Sequence, residues 1–201
     1  MLVRFLTAAQ PDYANVKYLI VFNTQNTNEP YALGFNASNY NNYSMFFLVG
    51  GGANFASAPL LNQVYQDPTS GTVRAFQITY PTNSVSFNPQ IQTANSPFGF
   101  EITFNRCIFD RPTPSANPPP ATQCPPYTNL ATQWAINLFT VDNSGSVVDS
   151  LGPFGANDTS FTFAIDTAAV TNDRVYVKPA NNTTLQNRAA QITGIEIFNT
   201  P

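Results

Sequence analysis

The chain has 201 residues, only 9% of them charged, with no histidine and a formal net charge of −3. No Lys/Arg cluster is present to neutralise phosphates, which argues against nucleic acid as a partner, and the absent histidine removes the Ser-His-Asp and Cys-His nucleophile systems in their usual form. Hydrophobic residues at 43% and aromatics at 13% supply a sizeable core and argue against disorder, while Asn, Thr, Ser and Gln carry the polarity of a folded extracellular, cell-surface or virion-shell protein.

Taken in order, residues 2–7 alternate, with Val3 and Phe5 opposing Leu2, Arg4 and Leu6, and predict a strand at a sheet edge. Pro11 and Asp12 mark a turn. Residues 16–24 are apolar on both faces, Tyr18, Ile20 and Phe22 against Leu19 and Val21, the pattern of a central strand. A third strand is predicted over 43–49, ended by Gly50-Gly51-Gly52. A glycine triplet could cradle a phosphate, but no Lys-Ser/Thr follows, and a turn is the better reading. Weaker strand patterns cover 60–66 and 73–80, with Asp67-Pro68-Thr69-Ser70-Gly71 between them as a turn. Residues 84–93 are interrupted by Pro89, which predicts an edge or a bulge.

Phe98, Phe100, Ile102 and Phe104 share one face of the next strand, and Glu101 and Thr103 the other. A further strand spans 133–141, with Trp134, Ile136 and Leu138 opposing Ala135, Asn137 and Phe139. Asp142-Asn143-Ser144-Gly145 then predicts a hairpin turn into 147–150. Residues 160–166, 175–178 and 191–198 complete the strands, and 167–172 could hold one helical turn at most. The whole predicts an all-β fold of about ten strands. A single domain over 1–201 is expected, built as a two-sheet antiparallel β-sandwich of jelly-roll or Ig-like type.

The only two cysteines, Cys107 and Cys124, bracket residues 108–123, where five of sixteen positions are proline. A bridge between them would pin a long excursion joining two core strands, in an oxidising compartment; two free buried thiols are the alternative. Closing such a loop contributes about 3 kcal/mol, mostly through the unfolded state. The longest apolar runs, YLIVF and MFFLV, are strand-sized and no membrane span is expected. A strand-like run follows Met1 directly, so no signal peptide is expected in the chain: either a leader has been removed or the protein assembles without secretion.

Paired carboxylates could still support glycoside hydrolysis, the candidates being Glu29, Glu101, Glu196 and the aspartates. Glu101 alone among the glutamates sits mid-strand opposite an aromatic face; the plainer reading is that it faces solvent or pairs with Arg74 or Arg106. Asp142, Asn143 and Asp149 offer hard oxygen ligands for calcium on one hairpin, without an EF-hand pattern, and Asp-Asn-Ser-Gly is ordinary turn chemistry. The positive hint of a binding face is YALGFNASNYNNYS. There Tyr31, Phe35, Tyr40 and Tyr43 accompany Asn36 and Asn42, rings that could stack on sugar faces beside amides that donate and accept. The alternative is that these rings cap the end of the sandwich. The same stretch holds two glycosylation sequons, at Asn36 and Asn42, and others fall at Asn157, Asn181 and Asn182.

KYLIVFNTQNTNEP, a charged mid-chain strand and WAINLFTVDNSGSVVDSLG together resemble bacterial surface or lipoprotein β-sandwich domains. More distantly they are similar to sandwiches of the carbohydrate-binding family-9 and DOMON type. That resemblance implies sugar binding, or haem in some DOMON members, and the lack of histidine counts against the haem branch. The expectation is a non-enzymatic surface protein binding glycan or another surface component, with no cofactor except a possible calcium ion. The alternative is a self-assembling subunit of a filament, surface layer or virion shell, joined through apolar edges such as residues 2–7.

Overall fold

The computed structural model describes residues 1–24, 44–52, 58–66, 69–70, 73–109, 133–152, 163–166, 171–178 and 185–199. Twelve strands run through them: β1 (Leu2–Thr7), β2 (Lys17–Asn23), β3 (Met45–Gly50), β4 (Leu60–Gln66), β5 (Val73–Ile78), β6 (Val85–Asn88), β7 (Phe98–Phe104), β8 (Gln133–Val141), β9 (Val147–Ser150), β10 (Phe163–Asp166), β11 (Thr171–Val177) and β12 (Ile192–Asn199). Single 3-10 turns sit at Arg106–Phe109 and Arg188–Ala190. All strand pairs are antiparallel, in a five-stranded sheet ordered β11-β12-β1-β7-β6 and a seven-stranded sheet ordered β10-β8-β2-β3-β4-β5, with β9 also on β8. The molecule is the expected all-β, two-sheet antiparallel sandwich. No described helix is long and apolar enough to cross a membrane.

Period-two alternation builds the interior. Val3, Phe5, Phe100, Ile102, Ile195 and Ile197 of the five-stranded sheet face Tyr18, Ile20, Phe47, Trp134, Ile136 and Leu138 of the other, all buried in one cluster. Full burial of such side chains is worth about 1.5–3 kcal/mol each. Strand β2 is central, as its two apolar faces predict. Its outward residues Leu19 and Val21 are also buried, beside Phe46, Val64, Phe139 and Val141.

Several expectations are corrected. Residues 2–7 are not an edge: β1 lies between β12 and β7, paired on both sides over its whole length. The edge of that end of the sheet is β6, which stops before Pro89. Residues 171 and 172 belong to β11, not to a helical turn. Ile108 and Phe109, expected to open the proline-rich loop, are core residues. The Phe109 ring lies 4.9 Å from Phe22, 5.1 Å from Phe104 and 5.4 Å from Trp134. Strands β7 and β8 sit in opposite sheets. Residues 110–132 lie outside the described residues.

The glycine triplet is a turn. Gly50 and Gly51 both have positive φ, and the N–H groups of Gly51 and Gly52 donate to the Tyr13 carbonyl, at 2.9 and 3.3 Å. A Cβ at Gly50 would stand 2.3 Å from the Val16 carbonyl oxygen.

Candidate functional site

The outward face of the five-stranded sheet carries a charged row. Register places Arg4 of β1 directly opposite Glu101 of β7 and Glu196 of β12. Its guanidinium donates from Nε to Glu101 Oε2 at 2.8 Å and from Nη1 to Glu196 Oε2 at 3.0 Å, and lies 4.9 Å from the Phe198 ring centroid. Glu101 therefore pairs with Arg4, and the Arg74 side chain lies outside the described residues. The Glu196 side chain is only 3% exposed. Burial pushes its carboxyl up, but hydrogen bonds from Asn95, Arg4 and Thr93 outweigh that and hold it below the usual carboxylate range.

A loop lies over this face as a strap from Pro89 to Pro97. At its start the Tyr13 hydroxyl donates to the Pro89 carbonyl at 2.6 Å. The Ile91 N–H donates to the Gly99 carbonyl, and the Thr93 N–H to that of Ser96. Farther along, Asn95 Nδ2 donates to Glu196 Oε1 at 2.8 Å, and the buried Ser96 hydroxyl donates to the Thr7 carbonyl at 3.0 Å. The strap thus reaches from the edge strand across to β12. Beneath this end of the sheet Leu6 points outward yet is fully buried, flanked in register by Gly99 and Gly194.

Where the strap meets the turn after β1, a cavity of about 350 Å³ opens. Gln10 and Pro11 line it from the turn, Gln90, Ile91 and Gln92 from the strap, and Phe98 and Gly99 from β7. The three glutamines are exposed, Pro11 is buried, and Ile91 and Phe98 are half-buried. Among the described residues no charged side chain lines it.

The calcium candidates are not brought together. Asp142 closes the β8–β9 hairpin, its Oδ1 accepting from the Ser144 hydroxyl at 2.6 Å and the Ser146 N–H at 2.9 Å. Those bonds, the Ser144 hydroxyl first, hold its carboxyl below the ordinary range. Asn143 is exposed in the same turn. Asp149 faces elsewhere: it pairs with Lys178 Nζ and accepts the Ile192 N–H at 2.8 Å, joining the hairpin to the other sheet. Among the described residues no group of three His, Cys, Asp or Glu side chains could hold a metal ion.

Comparison with protein-family models, characterised proteins and solved structures finds no match for this chain. The loop candidates Tyr31, Phe35, Asn36, Tyr40, Asn42 and Tyr43 lie outside the described residues, as do the five sequon asparagines. Cys107 is buried in the first 3-10 turn, and no free cysteine occurs among the described residues; Cys124 lies outside them. Glu196 was a carboxylate candidate in the sequence, but Arg4 and the three glutamines were not singled out by their context. Arg4 and Glu196 stand 192 positions apart, and the glutamines sit in two unrelated turns.

Proposed function

We propose that the protein is a non-enzymatic extracellular or cell-surface β-sandwich that binds glycan. One observation carries the reading: four carboxylates among the described residues are engaged in holding the fold. Glu101 and Glu196 share Arg4, Asp149 holds Lys178, and Asp142 closes a turn. A glycosidase acid needs a carboxyl whose affinity for its proton is raised, whereas Glu196 is shifted the other way. Hydrogen-bonding capacity at the strap is supplied by neutral amides, groups that donate and accept toward sugar hydroxyls.

The proposed contact includes Tyr31, Phe35, Tyr40 and Tyr43 with Asn36 and Asn42, and the Cys107–Cys124 bridge belongs to the same extracellular reading. Assembly through residues 2–7 is not proposed, because that strand already has a neighbour on each side. Affinity electrophoresis through gels cast with neutral polysaccharides is the test. Retardation weakened by Tyr40→Ala is expected. A chain that migrates unretarded through every polysaccharide would overturn the proposal.

A further inference from the structure

The cavity beneath the start of the strap has a lining suited to one class of ligand. Gln10, Gln90 and Gln92 converge on it from two separate segments, and none of their amides has a protein partner among the described residues. An amide offers two donors and an acceptor, so the three together present alternating hydrogen-bonding groups around the opening. The rest of the wall is apolar, from Pro11, Ile91 and Phe98. Polar and apolar walls side by side, around about 350 Å³, suit a small ligand that carries both hydroxyls and C–H surface. With no Lys, Arg, Asp or Glu among the described lining residues, a charged ligand would lose its hydration without gaining a counter-ion from them.

The walls are also fixed. Tyr13 to Pro89, Ile91 to Gly99 and Ser96 to Thr7 fasten the strap on both sides of the recess. The backbone that carries Gln90 and Gln92 therefore need not order itself around a ligand, which lowers the cost of binding.

From these observations we propose that this cavity is a subsite for a single uncharged sugar residue, with Gln10, Gln90 and Gln92 gripping its hydroxyls and the apolar wall taking its C–H face. The inference rests on the glycan-binding reading and adds a location separate from the aromatic stretch. It predicts preference for neutral over anionic polysaccharides.

The test compares wild type, Gln90→Ala, Gln92→Ala, the double variant and Tyr40→Ala on gels containing mannan, β-glucan, xylan or anionic alginate. Thermal melts confirm folding, since both glutamines are exposed. Retardation by a neutral polysaccharide, weakened on the order of tenfold by each glutamine change and further in the double variant, is expected. Retardation lost in Tyr40→Ala but unaltered by either glutamine change would overturn the subsite and leave the glycan reading standing. Retardation by alginate alone would do the same. No retardation on any gel would overturn both.

Discussion

Replacing Arg4 with methionine leaves Glu196 ionised at pH 7, with 3% of its side chain exposed and only Asn95 and Thr93 to solvate it. Removing one partner of a buried ion pair costs about 3–5 kcal/mol. Arg4 is 29% exposed and Glu101 20%, so water screens part of the loss, and about 2–3 kcal/mol is expected for R4M. In a domain of this size that lowers Tm by roughly 5–10 °C. Glu101→Gln should cost under about 1 kcal/mol, because Arg4 keeps Glu196. The pH dependence carries the sign. A carboxyl held below its unfolded value contributes stability that is fully present above the unfolded pKa and is lost as pH falls through the lower folded one. R4M removes one cause of that depression, so the gap between wild type and R4M should narrow as pH falls from 7 through the ordinary glutamate range. Urea unfolding followed by the fluorescence of Trp134, the single and buried tryptophan, measures both quantities. Equal losses for R4M and E101Q, or a gap that does not change with pH, would refute the reasoning.

Two further outcomes follow from local geometry. Gly50→Ala combines a φ of +89° with a Cβ 2.3 Å from the Val16 carbonyl oxygen, and should destabilise by about 2–3 kcal/mol, seen as a lower urea midpoint at unchanged slope. The proposed Cys107–Cys124 bridge should yield one linked peptide in a non-reducing digest, and Cys107→Ser with Cys124→Ser should lose about 3 kcal/mol. Two alkylated thiols in the intact folded protein would refute it.

Much of the architecture was legible because alternation reports burial strand by strand. Strands over 133–141 and 147–150 have the expected bounds, and the Asp142 turn joins them. What alternation cannot report is which strands become neighbours. Arg4 in the middle of a short apolar run looks like an edge charge. It is instead neutralised by glutamates from strands about 100 and 190 positions away, a pairing that only register creates. Phe109 was obscured by the prolines that follow it, and β11 by its polar Thr-Asn-Asp start. Of the candidate site residues, Glu101 was found without its partner. The cavity glutamines were invisible because their chemistry depends on two turns meeting in space.

The placement of β1 between β7 and β12 also bears on synthesis. Its partners lie roughly 95 and 190 residues downstream, so a nascent chain must carry this apolar strand unpaired until β7 has emerged, and with one side open until β12 follows. Such non-local closure is intrinsically slow, and an apolar segment waiting for its mates is open to wrong associations. The five-stranded sheet can close only once β12 is available, and a chaperone that shields β1 would have the longest watch to keep.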